Sequence, residues 1–445
     1  MNVLVTTIVI VFILINVFSK GKTFQKAPLV SIILVTLVIL YYFGGLVWNQ
    51  IRVEAGPGYL GFIYADESMI NDFRAAIGPL IIAICLPYLL SVPLISTKRK
   101  ILYSTVQKSF VSDIFLNLII AGTFLICILG EGTSILFRES YLSANGFPVF
   151  LRLSGITNLV GIAILASVFF FRSCKIRSWE FVLLLCWFLI LIGKGSRSAL
   201  LPFLIVFVIL LRTPISKLFK ALLFLTSLVF LTYTTQIIFL SRQRTHGILM
   251  LPSNYFLQLD SPIQSGSNFL GAVSILSAGI FTTIVTVPLS IGTLNLQGVL
   301  ANANPLISNI SSFSYDSTSN GIERIFPYSW VPASSAGTLF GVVGSFGIFA
   351  IFFLMSTANM FCISKSSWSI SGVLFKLAEI SFFAQVFFFL EYSTRIWFRA
   401  FWAFWLSFAL GVLLLAAEQS MNRMYPHQER EVTSNKLDQS SVNES

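Results

Sequence analysis

The amino-acid sequence predicts an all-α integral membrane protein, because it is rich in apolar residues and poor in charge. Hydrophobic residues make up 56% of the 445 residues, charged residues make up 11%, and the mean hydropathy is +0.85. Soluble domains carry about 25% charged residues, and no globular core would bury this much apolar surface. The apolar runs are long and unbroken, which predicts membrane-spanning helices and not the alternating strands of a β-barrel.

Apolar segments long enough to be membrane spans recur along the chain, since a helix needs about 20 residues to cross about 30 Å of hydrocarbon. We expect about eleven spans, within a range of about ten to twelve, because the sixth and seventh segments are short. Together they predict one membrane domain over 1–416 and a polar, disordered cytoplasmic tail over 417–445. The predicted spans are 2–19, 27–47, 73–96, 110–130, 154–171, 179–193, 198–211, 221–240, 335–358, 372–390 and 397–416.

The longest predicted loop covers about 241–334 and contains one apolar, uncharged segment, 269–292. A loop of this length is usually functional. We expect the apolar segment to be a re-entrant or interfacial helix, since a full span would reverse the orientation of every later helix. The stretch that follows it, "NANPLISNISSFSYDSTSNG", is rich in Asn and Ser and predicts a loop.

The distribution of lysine and arginine predicts which helix ends face inward, because cations collect on the cytoplasmic side of membranes. Of the 29 lysines and arginines, 18 fall in predicted inner segments and 11 in outer segments. The first apolar run has no cation before it and two shortly after it, which predicts an uncleaved helix with its N-terminus outside. Eleven spans then leave the C-terminus inside. The net charge of +11 thus has a topological explanation, and we expect no nucleic-acid partner.

Arginine and lysine divide differently between the two sides. Twelve of the 13 lysines are predicted to lie inside, whereas 10 of the 16 arginines are predicted to lie outside. The planar guanidinium binds phosphate or carboxylate through two hydrogen bonds, so the outer face has the composition of an anion-binding site. The alternative, which the sequence leaves open, is that these arginines pair with outer acidic residues: Asp66, Glu67, Asp72, Glu131, Glu139, Glu323 and Glu391.

The segment "LIGKGSRSALL" (191–201) is a predicted outer turn that holds Lys194 and Arg197 between two apolar spans. Arg197 falls at the start of a helix, where the dipole is positive and a cation is unfavourable. A bound anion would remove that conflict and would use the free N–H groups of the first turn. The alternative is that both side chains extend along the membrane interface to reach water.

The segment "SRQRTHG" (241–247) opens the large loop. If the preceding helix continues to 246, Arg242 and His246 share one face of it, and Arg244 points elsewhere. His246 is a candidate general base, because neighbouring cations favour its neutral form. The alternative is a basic helix end that meets water.

The segment "EYSTRIWFR" (391–399) is the last predicted outer turn. Arg395 and Arg399 lie one helical turn apart, which makes them candidate anion ligands. Glu391 lies one turn before Arg395, and such a pair can be purely structural.

Motifs of nucleotide hydrolysis and metal chemistry are absent from the sequence, which contains no Walker loop, no HExxH and no GxSxG. We therefore expect neither a metal nor a cofactor. The five cysteines have no ligand spacing and are expected to be packing thiols. Gly337 and Gly341 have GxxxG spacing, and Gly344 and Gly347 follow, which predicts close helix packing. Lys376 and Glu379 are expected to form an ion pair near the inner surface.

Two segments give the chain a recognisable pattern. "GSRSALL" opens a helix in mid-chain, and "SSAGTLFGVVGSFGIFAIFF" follows a large outer loop between many apolar helices. This arrangement resembles the O-antigen polymerase (Wzy) family of oligosaccharide repeat-unit polymerases. The resemblance covers the architecture of most of the chain. It implies a bacterial inner-membrane protein with a periplasmic N-terminus and a cytoplasmic C-terminus.

The resemblance also implies a reaction between two glycans that are linked to undecaprenyl pyrophosphate. The growing chain leaves its lipid carrier at the periplasmic face and joins the incoming repeat unit, in a metal-independent glycosyl transfer. It implies membrane lipid, a chain-length regulator and a flippase as candidate partners. His246 is the first candidate for the base that activates the acceptor hydroxyl, and Glu323 is the second. The candidate pyrophosphate ligands are Arg197, Lys194, Arg242, Arg244, Arg324, Arg395 and Arg399.

Two other functions stay open. An O-antigen ligase shares the plan and the donor but uses a lipid A–core acceptor, and the sequence hardly separates it from a polymerase. A polysaccharide flippase or exporter would be a transporter and not an enzyme. We expect a transporter to place charge along a path through its spans. The middle positions of the predicted spans carry almost no charge, which favours the enzyme.

Overall fold

The structure, a computed structural model, describes ten continuous stretches of the chain and some further positions between them. Regular secondary structure in the described part of the chain is helical, which agrees with an all-α membrane protein. The described residues are 5–7, 28–55, 65–96, 110–139, 145–151, 177–194, 247–253, 335–365, 369–391 and 394–424, with positions inside 161–165, 216–226 and 283–288, and 303. The helices are α1 (Pro28–Ala55), α2 (Glu67–Ser96), α3 (Phe110–Glu131), α4 (Ser178–Gly193), α5 (Ser335–Lys365), α6 (Ile370–Glu391) and α7 (Thr394–Met424).

Each of these helices coincides with one predicted span. Five helical stretches in the described ranges are long and apolar enough to cross a membrane, and Ile33–Val47 and Ser178–Gly193 are shorter apolar helices. The total of eleven spans stays a prediction, because the segments 2–19, 154–171, 198–211 and 221–240 lie outside the described residues or are described at a few positions only. One boundary is corrected: α7 continues to Met424, so the predicted disordered tail cannot begin at 417.

Helices α2, α5 and α6 pack around a buried apolar core, with α5 between the other two. Ser356 on α5 donates to the carbonyl of Ile84 on α2 over 3.1 Å. Asn359, almost one turn later, donates to the hydroxyl of Tyr88 over 3.0 Å, so α2 and α5 run in the same direction.

Helix α6 runs opposite to α5. The rings of Phe352 and Phe389 lie 5.0 Å apart, and those of Phe361 and Phe375 lie 5.6 Å apart. Helix α7 returns along α6, and the ring of Phe404 lies 6.0 Å from that of Phe382. These relative directions agree with those of the predicted spans.

The described positions between 283 and 288, in the large loop, lie inside this bundle. Thr283, Ile284, Thr286 and Val287 are fully buried, and the hydroxyl of Thr283 donates to the carbonyl of Leu390 at the end of α6. The apolar segment 269–292 therefore has a part that packs among helix ends. The remainder of that segment lies outside the described residues, and the re-entrant helix stays a prediction.

The glycines of α5 have two different roles. A Cβ on Gly337 would lie 2.8 Å from the carbonyl oxygen of Thr286, so close packing is confirmed there. The packing prediction is wrong for Gly344, where a Cβ would have open space. Gly344 instead kinks α5, with φ of 61° and ψ of −171°, a conformation that suits a residue without a side chain.

Candidate functional site: a cationic junction at the ends of α3 and α4

Three segments that are far apart in the sequence meet at the C-terminal ends of α3 and α4. The N–H of Gly247 donates to the carbonyl of Gly193 over 2.9 Å, and the N–H of Leu249 donates to the carbonyl of Leu136 over 3.1 Å. All three segments were predicted to be outer loops. The contacts join the end of α4, the short 3-10 helix Gly132–Ile135 that follows α3, and the 3-10 helix Ile248–Met250. We call this meeting point the junction.

Glycine makes these backbone contacts possible. Gly247 has φ of +113°, where side chains are rarely tolerated, and a Cβ there would lie 2.2 Å from the carbonyl oxygen of Leu136. A fourth segment approaches in the same way, because the N–H of Phe147 donates to the carbonyl of Leu129 over 3.0 Å. A Cβ on Gly146 would lie 2.2 Å from the carbonyl oxygen of Gly130.

The carboxylate of Glu131 is the electrostatic centre of the junction. Arg138 donates to one of its oxygens and Lys194 donates to the other. The side chains of Glu131 and Arg138 are each only 2% exposed, whereas that of Lys194 is 25% exposed. Ser134 accepts a second bond from Arg138 over 3.3 Å. A carboxylate removed from water needs such partners, so this arrangement holds three segments in one geometry.

The two helix ends also favour the position of the Lys194 ammonium group. Lys194 is the residue that caps the C-terminus of α4, and its N–H donates to the carbonyl of Ile190 over 2.9 Å. The partial negative charge at a helix C-terminus stabilises a nearby ammonium group. Lys194 therefore interacts favourably with the end of its own helix and with Glu131 at the end of α3.

The structure thus places Lys194 in the junction but pairs it with Glu131. For Arg138, the alternative of a carboxylate partner is confirmed, whereas the pairing of Lys194 with Glu131 was not among the alternatives considered for that lysine. Arg74 also has partners within the protein, because its Nε donates to the carbonyl of Tyr41 over 3.2 Å and its guanidinium lies 6.0 Å from the Tyr41 ring.

Most of the other predicted site residues lie outside the described residues. This is the case for Arg197, Arg242, Arg244, His246, Glu323 and Arg324. Along the chain, Arg197 is three residues after Lys194, and His246 directly precedes Gly247. Arg395 and Arg399 belong to the first turns of α7, and the side chain of Arg399 is exposed.

Sequence reasoning did not single out Glu131 or Arg138 as site residues. Glu131 was one of seven acidic candidates for pairing, and nothing marked it as the shared partner of two cations. The signal was its position in "LGEGTS" (129–134), where a carboxylate between two glycines ends an apolar span. A charged residue at that place is expected to have a specific partner.

A second cluster of polar side chains lies inside the bundle of α2, α5 and α6. Lys376 donates to Glu379, whose side chain is only 1% exposed, and Asn359 is fully buried beside Tyr88. One carboxylate oxygen of Glu379 and the amide oxygen of Asn359 have no protein partner among the described residues. The ion pair was predicted, and Glu379 lies near the middle of α6 and not at either of its ends.

The cysteines in the described ranges form no disulfide bonds. Cys85, Cys127 and Cys362 are buried and Cys186 is partly buried, as expected for packing residues, and Cys174 lies outside those ranges. Within the described part of the chain, no three His, Cys, Asp or Glu side chains converge as metal ligands do. Comparison of the whole chain with protein-family models, curated proteins and solved structures found no match.

Proposed function

We propose that the protein is a membrane glycosyltransferase that polymerises oligosaccharide repeat units linked to undecaprenyl pyrophosphate, at the periplasmic face of the bacterial inner membrane. One observation carries the proposal: the hydrogen bond between Gly247 and Gly193 joins the two segments that hold the candidate site residues. One segment leads into Arg197, and the other follows Arg242, Arg244 and His246.

The charge of the converging segments supports an anionic substrate. Segments 131–139, 193–197 and 242–247 contain five cations, Arg138, Lys194, Arg197, Arg242 and Arg244, and two carboxylates, Glu131 and Glu139. Glu131 forms ion pairs with two of these cations, Arg138 and Lys194. The cations still exceed the carboxylates, which suits a pyrophosphate with two or more negative charges.

In the proposed mechanism, these cations stabilise the negative charge that develops on the leaving group. The acceptor hydroxyl attacks the anomeric carbon of the growing glycan, and the bond from that carbon to the pyrophosphate oxygen breaks. Preorganised arginine donors stabilise the negative charge on the leaving pyrophosphate, and Arg197 is the first candidate. His246 accepts the proton of the attacking hydroxyl. In this proposal Lys194 and Arg138 hold Glu131 in place and thereby fix the turn that precedes Arg197.

A transporter is the second candidate, and the Lys376–Glu379 pair is the observation that favours it. An ion pair buried near the middle of a membrane helix is a feature of ion and proton pathways. The sequence analysis expected such charge in a transporter and did not place Glu379 at this depth. A ligase remains the nearest enzymatic alternative, since it would use the same junction with a different acceptor.

The deciding experiment is gel electrophoresis of surface polysaccharide from a strain that lacks the protein. A polymerase predicts a core that carries a single repeat unit and no ladder. Long polymer that remains on the lipid carrier and never reaches the core would indicate a ligase. Single units trapped on the cytoplasmic face would indicate a flippase and would overturn the enzymatic proposal.

A further inference from the structure

The junction is surrounded by exposed apolar side chains, although it follows the ends of the helices. Leu136 is 50% exposed, Phe137 42%, Phe147 63%, Val149 66% and Leu249 64%. A loop in water normally carries polar residues at such positions, and contiguous exposed apolar surface marks an interaction site. We call these five side chains the apolar rim.

The rim belongs to one structural unit. The backbone of Leu249 is hydrogen-bonded to that of Leu136, and the backbone of Phe147 is hydrogen-bonded to that of Leu129, two residues before Glu131. Phe137 directly precedes Arg138, whose side chain is buried against Glu131. The rim is therefore fixed to the rigid junction through backbone bonds and is not a set of unrelated loop residues.

The rim continues the lipid-facing surface of α3. The apolar stretch that is long enough to cross a membrane extends from Asn117 to Ile135, and Leu136 and Phe137 follow it without a break. Helix α3 exposes Leu118 and Leu125, and α4 exposes Val182 and Leu185, which are the side chains that lipid would contact. The same kind of surface thus extends past the end of α3 and onto the loop that follows it, whereas the last turn of α4 is buried.

Polar groups near the rim are either buried or at its edge. Arg138 and Glu131 neutralise each other within the junction, whereas Glu139 is exposed and directly follows Arg138. Apolar side chains with charged neighbours at one border are the pattern of segments that lie at the boundary between acyl chains and headgroups. A loop that lies entirely in water is not expected to expose five large apolar side chains close together.

We propose that the apolar rim inserts into the membrane interface, so that the junction lies at headgroup depth with Leu136, Phe137, Phe147, Val149 and Leu249 among the upper acyl chains. The partner of this surface is the bilayer itself. The inference does not depend on the proposed reaction, because it uses only exposure, backbone contacts and helix ends. It predicts that any ligand of the junction is reached at the level of the lipid headgroups.

Site-directed spin labelling of the full-length protein in lipid vesicles tests this inference. Single cysteines replace Phe137, Phe147, Val149 or Leu249 after Cys174 and Cys186 have been changed to serine, since the other native thiols are buried. Glu139→Cys and Ser253→Cys serve as matched controls, because both positions are exposed and lie close in sequence to rim residues. The nitroxide collision rates with oxygen, which concentrates in hydrocarbon, and with a water-soluble nickel chelate are then compared.

The expected result is a several-fold higher ratio of oxygen to nickel collisions at the rim positions than at the two controls. Nickel collisions at Phe147→Cys and Leu249→Cys as frequent as those at Glu139→Cys would overturn the proposal, because the rim would then be in water. Low collision rates with both reagents would also overturn it, since the rim would be covered by protein. No outcome depends on enzymatic activity, so failure here is separate from failure of the proposed function.

Discussion

Lys194 donates a hydrogen bond to Glu131, and the two residues end neighbouring helices although they are 63 positions apart in the sequence. Arg138 occupies the second oxygen of the same carboxylate. One buried carboxylate thus fixes the relative positions of α3, α4 and the segment between them. Removing it leaves Arg138 buried without its counter-charge, which costs more than losing an exposed pair.

Glu131→Gln is therefore expected to lower the free energy of unfolding by about 3–5 kcal/mol, the cost of breaking a buried ion pair from one side. Thermal unfolding of the purified protein in detergent measures the loss. Glu139→Gln is the matched control, since this carboxylate is exposed and should change stability by less than about 0.5 kcal/mol. Equal melting temperatures for the two variants would show that Glu131 does not hold the junction together.

Gly247→Ala should also damage the junction, because the new Cβ would lie 2.2 Å from the carbonyl of Leu136 and the residue has positive φ. We expect a loss of about 1–3 kcal/mol, the usual cost of a strained backbone. Gly122→Ala on α3 is the control, since nothing lies within 4 Å of its Cβ position. The prediction fails if alanine is tolerated equally at both positions in a melting experiment.

The helices could be predicted from the sequence because each apolar run is long and ends at polar or glycine residues. The observed bounds of α4, Ser178–Gly193, differ from the predicted span 179–193 by one residue. The end of α7 was less predictable, since "AAEQSMNRM" (416–424) contains good helix formers as well as charge. Composition indicated a tail there, and local helix propensity extends the helix to Met424.

The contacts of the junction could not be predicted, because they depend on how helices pack. The sequence named both Lys194 and Glu131, but seven acidic residues were equally available as partners. The glycines of α5 also have roles that the sequence alone could not distinguish. Glycine permits both close packing and positive φ, and only the structure shows that Gly337 does the first and Gly344 does the second.

The buried pair on α6 leads to a prediction that also separates the two candidate functions. Glu379→Gln should lower the free energy of unfolding by about 3–5 kcal/mol, because Lys376, whose side chain is only 12% exposed, would lose its counter-charge. The double variant Lys376→Met with Glu379→Leu removes both charges and should recover most of that stability. A double-mutant cycle from thermal unfolding measures the coupling.

The same double variant is then tested for surface polysaccharide. If the pair is structural, polymer should persist at close to wild-type length. A stable double variant that makes no polymer would instead assign the buried pair to a transport step, and the enzymatic proposal would lose its support.

Arg197→Ala should abolish polymer without changing the abundance of the protein in the membrane. Arg197 follows the Lys194 turn by three residues, and its guanidinium is the proposed ligand of the leaving pyrophosphate. Loss of one such donor slows the chemical step about 100- to 1,000-fold, which is enough to remove the ladder from a gel. Arg197→Lys should also make little polymer, because an ammonium group lacks the two parallel donors that bind an anion.

Lys365→Ala, at the C-terminal end of α5, is the matched control and should leave the ladder intact. Wild-type polymer in a strain that carries only Arg197→Ala would rule out the anion site at the junction.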